Sequence, residues 1–192
     1  MADAMVELGA NVTVVSGPTN LEKSDRIQFV EVESAQDMLK HALQLADKAN
    51  IFIATAAVAD YRPVDNRVRK MKRREENVTI EMTRNADILA QVKQAYPRLY
   101  CVGFAAETND IAINARLKLQ NKNVQMMIAN QVGLQDVGFN SDYNAAEIFF
   151  LNGSKSFAKM TKAKLAREIC AFIATQYSEY NKQSNVSYLQ NQ

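Results

Sequence analysis

The chain has 192 residues, of which 47% are hydrophobic and 23% are charged, a composition typical of a globular domain with a substantial core. Its 23 basic and 21 acidic residues leave a formal charge of +2, too small to indicate a nucleic-acid or membrane surface over the whole molecule. No apolar run approaches the roughly 18 residues of a membrane span. Since the amino terminus also lacks the pattern of a secretory signal, we expect a cytoplasmic protein.

The first part of the chain alternates between helical and strand patterns, as in a layered α/β sheet. In chain order, the patterns predict a helix at 1–8, strands at 11–15 and 27–32, a helix at 35–49 and a strand at 51–59. Gly9 ends the first helix, and Ser34 with Asp37 caps the second in the manner of a capping box. The run 51–59 is apolar throughout, which is typical of a strand buried on both faces of a parallel sheet.

A basic flap follows this strand. Asp60 ends the apolar run, and seven Lys or Arg residues come after it: Arg62, Arg67, Arg69, Lys70, Lys72, Arg73 and Arg74. The alternating stretch 78–82 predicts a half-exposed strand that pairs with the flap as a hairpin. The flap could be a solvated loop, a nucleic-acid contact, or a lid whose cations neutralise the phosphates of a nucleotide. It lacks aromatic residues that stack on bases, and its position after a strand favours the lid.

The second part of the chain continues the alternation. The patterns predict a helix at 85–96, a strand at 99–106, a helix from Thr108 or Asn109 to about 122, a strand at 124–129, a loop at 130–144, strands at 146–151 and 156–158, and a helix at 161–177. Pro97 ends the first of these helices, and Asn152-Gly153 favours a two-residue hairpin turn. The polar tail 182–192 is predicted to be disordered, so the folded domain is expected to span residues 1–181.

Polar residues follow three buried strands at the positions where open α/β sheets bind ligands. These residues are Asp60, Glu107 and Asn130. Helix capping or loop hydrogen bonding explains each one equally well, but their convergence at one sheet edge favours a binding site. Lys118 and Lys122 lie four residues apart on a predicted helix, so both cations can face one ligand, although a solvated helix face is the commoner role.

Several kinds of site lack their usual residues in this sequence. The single histidine, His41, lies in a predicted helix and is interpreted as structural, which removes the usual basis for metalloprotease and histidine-triad chemistry. No Walker lysine loop and no G-x-G-x-x-G fingerprint is present, so P-loop and ordinary dinucleotide sites are not supported. Cys101 and Cys170 lie in apolar stretches, which favours buried, reduced thiols over a disulfide or a nucleophile.

Six short motifs occur in order along the chain. They are Ala56-Ala-Val-Ala-Asp-Tyr-Arg62, Lys70-Met-Lys-Arg73, Asn85-Ala-Asp-Ile88, Gly103-Phe-Ala-Ala-Glu-Thr108, Ala115-Arg-Leu-Lys118 with Lys122-Asn123, and Gly138-Phe-Asn-Ser-Asp142 with Asn144. Together they closely resemble phosphopantothenoylcysteine synthetase, the ligase part of the bifunctional bacterial coenzyme A enzyme. The resemblance runs from residue 1 to about 180. It implies an α/β fold, a Rossmann-like three-layer sandwich with a mainly parallel sheet, the basic flap and a carboxyl-terminal hairpin.

The resemblance implies a two-step ligation in coenzyme A biosynthesis. CTP first activates the carboxylate of 4'-phosphopantothenate as an acyl-cytidylate, with release of pyrophosphate. The amine of L-cysteine then attacks the acyl carbon and expels CMP. Mg²⁺ on the triphosphate would neutralise charge in the first step. The resemblance also implies a homodimer, and it places FMN only in an attached decarboxylase domain that this chain does not contain.

The same resemblance assigns residues to ligands. CTP contacts are implied for Asp60, Lys70, Ala86, Asp87, Ile88, Leu89, Phe104, Lys118 and Lys122. Substrate contacts are implied for Ala56, Ala57 and Asn130, the two alanines being small enough for the substrate to approach the backbone. Lys70 is the implied catalytic residue, placed in the flap to act on the acyl-cytidylate in its conversion with cysteine. No residue is assigned to a metal.

Two short motifs depart from the family, and one whole segment differs. Ala86 stands where the family usually has proline, which changes backbone stiffness rather than contact groups, and Gln131 stands where aspartate is usual. Family members carry a strand, a Gly-Pro-Thr turn and an asparagine-containing loop before the first helix, whereas this chain opens inside that helix. We therefore expect that the amino-terminal strand and phosphate-binding loop are missing.

Two alternatives to the ligase stay open at this point. The chain could be a truncated CTP-binding module, or a dimerisation fragment, without catalysis. It could also be a short-chain-dehydrogenase-like protein that binds NAD(P), although the missing glycine fingerprint argues against this interpretation.

Overall fold

The computed structural model describes residues 1–65, 79–107, 110–131 and 141–189. Within these ranges the strands are β1 (Thr13–Ser16), β2 (Gln28–Glu31), β3 (Ile51–Ala54), β4 (Tyr61–Pro63), β5 (Met82–Arg84), β6 (Tyr100–Glu107), β7 (Met126–Gln131), β8 (Tyr143–Phe150) and β9 (Gly153–Thr161). The helices are α1 (Ala2–Glu7), α2 (Ala35–Ala46), α3 (Ile88–Ala95), α4 (Ile111–Asn121) and α5 (Lys162–Leu189).

The central sheet has five strands in the order β3-β6-β7-β8-β9. β3, β6 and β7 run parallel, while β8 and β9 add an antiparallel hairpin on the far side of β7. β1 and β2 form a separate parallel pair, and β4 and β5 form a separate antiparallel pair. In the central sheet, the connection from β3 to β6 contains α3 and the connection from β6 to β7 contains α4, as is usual for parallel pairs. β1 and β2 are joined by residues 17–27 without a helix.

Two hydrophobic cores lie on opposite faces of the central sheet and produce a three-layer sandwich. Strand β6 serves both cores, because successive side chains of a strand point to opposite faces. Tyr100 and Val102 pack with residues of α1 and α5 in one core. Cys101 and Ala105 pack with residues of α2, α3 and α4 in the other. The predicted α/β three-layer fold is confirmed.

Strand β3 ends at Ala54, five residues earlier than the apolar run predicted. Thr55, Ala56 and Ala57 are exposed, and alanine side chains bury too little apolar area to hold a strand in the sheet. The chain therefore leaves the sheet after Ala54 and reaches Asp60 as irregular backbone. Because Asp60 lies beyond the strand, its position depends on contacts outside the sheet.

Both predicted hairpins are present, with shifted ends. β4 pairs with β5, which confirms the base of the first hairpin, while the basic residues of the flap between 66 and 78 lie outside the described residues. In the second hairpin Phe150 pairs with Gly153, so the two-residue loop is Leu151–Asn152 and not Asn152–Gly153. The ends of the predicted loop at 130–144 belong to strands instead, because β7 continues to Gln131 and β8 begins at Tyr143. Residues 132–140 of that loop lie outside the described residues.

Two helix ends also differ from the prediction. The N-cap of α4 is Asp110, with a left-handed φ of 48° and no side-chain cap; the predicted caps Thr108 and Asn109 lie outside the described residues. Helix α5 continues to Leu189, so residues 182–189 are helical where a disordered tail was predicted. No glycine or proline interrupts the sequence after residue 177, and Tyr180 makes an edge-on contact with Tyr100 at 5.4 Å between ring centroids.

Lys93 is a buried cation that sequence analysis did not identify. Its ammonium group donates to the backbone oxygens of Pro97 at 2.7 Å and Leu99 at 2.9 Å, and to Gln125 Oε1 at 3.2 Å. The same oxygen of Gln125 accepts the backbone N–H of Cys101 at 2.9 Å. Burial lowers the pKa of Lys93. These bonds fix the turn that joins α3 to β6.

Cys101 and Cys170 are free and buried, as the sequence predicted. Burial raises the pKa of each thiol to about 11, so both are neutral near pH 7 and unsuited to nucleophilic attack. Among the helices of the described ranges, none is long and apolar enough to cross a membrane.

Gly103 allows α3 to lie close to the sheet. A Cβ at this position would meet Leu89 Cδ2 at 2.6 Å and Met127 Cε and Sδ at 2.9 Å. Because these are flexible side-chain ends, Gly103→Ala is expected to overpack the core without preventing folding, and to lower the free energy of unfolding by about 1–3 kcal/mol. Urea denaturation with an unchanged m-value measures this loss.

The matched control is Gly153→Ala, where the nearest atom, Phe150 Cζ, lies at 3.4 Å. This change is expected to alter the free energy of unfolding by no more than about 0.5 kcal/mol. Equal stabilities for the two variants would contradict the close approach of α3 to β6.

Candidate functional site

A cleft of about 1390 Å³ runs along β3, and one end of it lies at the carboxyl ends of β3 and β6. Eight residues that the sequence placed in the site line this one cleft: Ala56, Asp60, Ala86, Asp87, Ile88, Leu89, Phe104 and Lys122. They come from four separate stretches of the chain, so the fold brings the predicted site together. This is the edge at which open α/β sheets bind ligands.

Four predicted residues do not belong to this lining. Ala57 is exposed next to the cleft, and Asn130 is half-buried in β7, where its backbone pairs with both neighbouring strands. Lys118 lies one turn before Lys122, and its charge helps to lower the pKa of Asp87, so it is near the cleft without lining it. Lys70 lies outside the described residues.

Asn85 joins the segment that follows β3 to the segment that precedes α3. Its side-chain amide donates to the backbone oxygen of Ala59 at 2.8 Å, and its backbone N–H donates to the oxygen of Asp60 at 2.8 Å. Arg62 Nη1 donates to Asn85 Oδ1 at 3.0 Å and to the backbone oxygen of Arg84 at 2.9 Å. These bonds hold the segment after β3 against the start of α3, and thereby fix the position of Asp60.

Asn85 lies within one of the six motifs, and the sequence alone indicated no role for it. The only available signal was its chemistry, because an amide side chain donates and accepts at the same time and can bridge two backbone segments.

Asp87 has two partners, one on each carboxylate oxygen. It is the N-cap of α3, with Oδ1 accepting the backbone N–H of Ala90 at 3.0 Å, and Oδ2 forms an ion pair with Lys122 Nζ. Partial burial alone would raise the pKa of Asp87, but the hydrogen bonds from Lys122 and Ala90 outweigh it and the pKa is lowered. Asp87 is therefore a carboxylate near pH 7, and it holds Lys122 at the cleft.

The start of α3 presents backbone donors to the cleft. Ile88 and Leu89 are the first two helical residues, and the first N–H groups of a helix have no partner within it. Such an end attracts anions, but the carboxylate of Asp87 adds negative charge at the same place. Lys122 balances that charge, so the ion pair leaves the helix end suited to a phosphate.

Two other side chains add different chemistry. Asp60 is exposed at the cleft, and its carboxylate can accept hydrogen bonds from hydroxyl or amino groups. Phe104 is half-buried. It packs against the core that β6 forms with α1 and α5, and it also lines the cleft. Its ring can therefore pack against a flat base or a sugar. A cation, helix N–H groups, an acceptor and an aromatic ring together suit a ligand that carries both phosphate and a ring.

The described residues contain no group of three or more His, Cys, Asp or Glu side chains that could hold a metal ion. His41 lies in α2, half-buried and outside the cleft lining, consistent with its structural interpretation.

Residues 1–177 match the family described as the DNA/pantothenate metabolism flavoprotein C-terminal domain. The chain is 41% identical over 178 residues to the coenzyme A biosynthesis bifunctional protein CoaBC of Vibrio vulnificus, an alignment that covers 91% of this chain and 44% of the relative. The chain therefore spans a little under half the length of the curated relatives it matches.

Solved structures show the same fold. The crystal structure of the C-terminal domain of CoaBC superposes with a TM-score of 0.77 at 35% identity, covering 93% of this chain and 80% of that one. A Cab2 mutant in complex with phosphopantothenate-cysteine superposes with a TM-score of 0.60, covering 85% of this chain and 57% of that one. At 12% identity, this second likeness shows the fold alone. Because the family model matches residues 1–177, the chain belongs to the DNA/pantothenate metabolism flavoprotein C-terminal domain family.

Proposed function

We propose that this chain is the domain of a phosphopantothenate–cysteine ligase, an acid–amino-acid ligase of coenzyme A biosynthesis. It would use CTP to activate the carboxylate of 4'-phosphopantothenate as an acyl-cytidylate, which the amine of L-cysteine then attacks. One observation carries the proposal. Eight residues from four stretches of the family's motifs converge on a single cleft that offers groups for a phosphate, a ring and hydroxyl or amino groups.

In this proposal the charged and aromatic groups of the cleft, and the start of α3, have separate roles. Lys122, held by Asp87, and the N–H groups at the start of α3 would bind phosphate oxygens of the nucleotide. Phe104 would pack against the cytosine or the ribose, and Asp60 would accept hydrogen bonds from the nucleotide. Preorganised donors of this kind stabilise charge that develops on phosphate as pyrophosphate leaves.

Magnesium enters this proposal as part of the nucleotide substrate. The described residues provide no cluster of metal ligands, whereas a triphosphate binds Mg²⁺ through its own oxygens. No residue of the chain is assigned to the ion.

Three further expectations belong to the proposal. Small side chains at Ala56 and Ala57 would let the pantothenate carboxylate approach the backbone beside the nucleotide, with Asn130 nearby. The domain would act as a homodimer. In a longer protein it would be joined to a decarboxylase domain, the part that holds FMN.

The alternative is a CTP-binding module without catalysis. Incubation with Mg²⁺–CTP, 4'-phosphopantothenate and L-cysteine separates the two functions. We expect release of pyrophosphate that depends on phosphopantothenate, and formation of CMP that depends on cysteine. Measurable CTP binding without pyrophosphate release would support the module, and no CTP binding at all would contradict both.

The ion pair between Asp87 and Lys122 gives a test of the nucleotide site. Lys122→Gln removes a cation and leaves the Asp87 carboxylate unbalanced at the start of α3, so we expect CTP binding to weaken by about 10–100-fold, equivalent to roughly 1.4–2.8 kcal/mol. Asp87→Asn combined with Lys122→Gln removes both charges and keeps a good N-cap residue. The double variant is expected to regain part of the lost affinity in calorimetric titration with CTP.

Lys159→Gln is the matched control, because Lys159 lies on β9 at the other edge of the central sheet. Its affinity for CTP is expected to equal that of the unaltered chain. If the double variant binds CTP no better than Lys122→Gln, charge balance by Asp87 is not the reason that Lys122 matters.

Lys70 gives a test of the second step. Lys70→Gln is expected to release pyrophosphate and accumulate acyl-cytidylate. It should pass the intermediate to cysteine about 10²–10⁴-fold more slowly, the usual scale for loss of a positioned proton-transfer group. Quenched-flow measurement of intermediate and CMP distinguishes the steps. Loss of CTP binding with no intermediate would instead make Lys70 a phosphate ligand.

A further inference from the structure

Arg62 is the first cation of the basic flap, but it lines a different space from the cleft. That space is a smaller pocket of about 290 Å³, which Arg62 shares with Ala35, Gln36 and Leu39 of the α2 helix and with Arg84, Asn85 and Ala86. Arg62 is not among the described residues that line the cleft. Its guanidinium is therefore placed for a role other than direct contact with a nucleotide in the cleft.

The hairpin of β4 and β5 fixes the direction of the Arg62 side chain. Arg62 pairs with Thr83 across the hairpin. Its neighbours Tyr61 and Pro63 are exposed, whereas Arg62 is half-buried, because successive side chains of a strand point to opposite faces. The guanidinium thus lies on the face of the hairpin that is turned towards the rest of the domain.

The pairing of this hairpin continues to Asp60. Tyr61 pairs with Arg84, and the next residue, Asn85, donates its backbone N–H to the oxygen of Asp60 at 2.8 Å. The side-chain amide of Asn85 donates to the oxygen of Ala59 at 2.8 Å. Asn85 therefore holds two successive residues of the segment that lines the cleft, one through its backbone and one through its side chain.

Arg62 determines which way the Asn85 amide points. Its Nη1 donates to Asn85 Oδ1 at 3.0 Å and to the backbone oxygen of Arg84 at 2.9 Å. A reversed amide would turn its NH₂ group towards the guanidinium, which only donates, and its oxygen towards the oxygen of Ala59, which only accepts. Both side-chain bonds of Asn85 would then be lost, so the Arg62 cation selects the orientation that holds Ala59.

We propose that Arg62 is a positioning residue for the nucleotide site: through the Asn85 amide it fixes the segment that carries the Asp60 carboxylate. The proposal rests on the nucleotide binding proposed above. It separates Arg62 from the flap cations that would meet phosphate, because the effect of Arg62 on the nucleotide passes through Asn85 and Asp60.

A double-mutant cycle distinguishes a positioning residue from a phosphate ligand. Two residues that contact a ligand independently contribute independent factors to its affinity, whereas a residue that acts through another loses its effect once that other residue is removed. The cycle therefore combines the loss of the Arg62 guanidinium with the loss of the Asp60 carboxylate.

Arg62→Met keeps the apolar stem and removes the donors. In calorimetric titration with Mg²⁺–CTP we expect its Kd to rise about tenfold, the scale of one lost hydrogen bond, at unchanged stoichiometry. Asp60→Ala is expected to weaken binding at least about tenfold, and the double variant to bind within about twofold of Asp60→Ala. Arg26→Met is the matched control, because Arg26 is exposed and outside the cleft lining, and its Kd is expected to be unchanged.

A second measurement needs no nucleotide. Arg62→Met is expected to speed hydrogen exchange of the Asn85 backbone N–H at least about tenfold, because the bond to Asp60 opens more often when the segment is less restrained. The N–H of Ala90, which is bonded to Asp87 Oδ1, is expected to exchange at an unchanged rate and serves as the internal control.

Three results would overturn the inference. They are an unchanged exchange rate at Asn85, losses of CTP affinity that multiply in the double variant, and an Arg62→Met chain whose stoichiometry falls at unchanged Kd, as expected for a residue that only supports folding. If exchange at Asn85 responds but the unaltered chain does not bind CTP, the positioning of the Asp60 segment stands and the proposed nucleotide function fails.

Discussion

Burial of β6 on both faces is the constraint on which the binding edge depends. Its side chains alternate between two cores, so the strand has little freedom to shift, and a slip of one residue would exchange its two faces. Lys93 stabilises the start of the strand by donating to the backbone oxygen of Leu99 and to Gln125, whose side-chain oxygen also accepts the backbone N–H of Cys101. Phe104 is therefore presented to the cleft from a fixed strand.

The position of α3 follows from the same strand. Gly103 provides the space into which Leu89 packs, and Leu89 is the second residue of the helix. The end of α3 that faces the cleft is thus set by a close contact with the sheet. Asp87 caps that end and reaches Lys122, 35 residues away in sequence, so the positive charge of α4 is tied to the same framework.

The family resemblance implied the eight site residues that line the cleft. Sequence patterns predicted the layers, because buried strands and amphipathic helices carry strong periodicities. They failed where tertiary contacts decide. The end of β3 at Ala54 depends on how little alanine gains from burial, and on Asn85, which holds the following segment near α3. No spacing rule connects Asp87 with Lys122. Helix α5 passes its predicted end because Tyr180 packs against Tyr100, a contact distant in sequence.

The segment after β3 is tied to helix α3 and not to the sheet. It carries Ala56 and Asp60 and leaves β3 after Ala54. Its position depends on bonds from Asn85 to Ala59 and Asp60. Because Asn85 lies two residues before Asp87, the N-cap of α3, a shift of α3 would carry Asp60 with it. The carboxylate of Asp60 and the first N–H groups of α3 therefore keep their relative positions, so a ligand that contacts both meets a preorganised pair of groups.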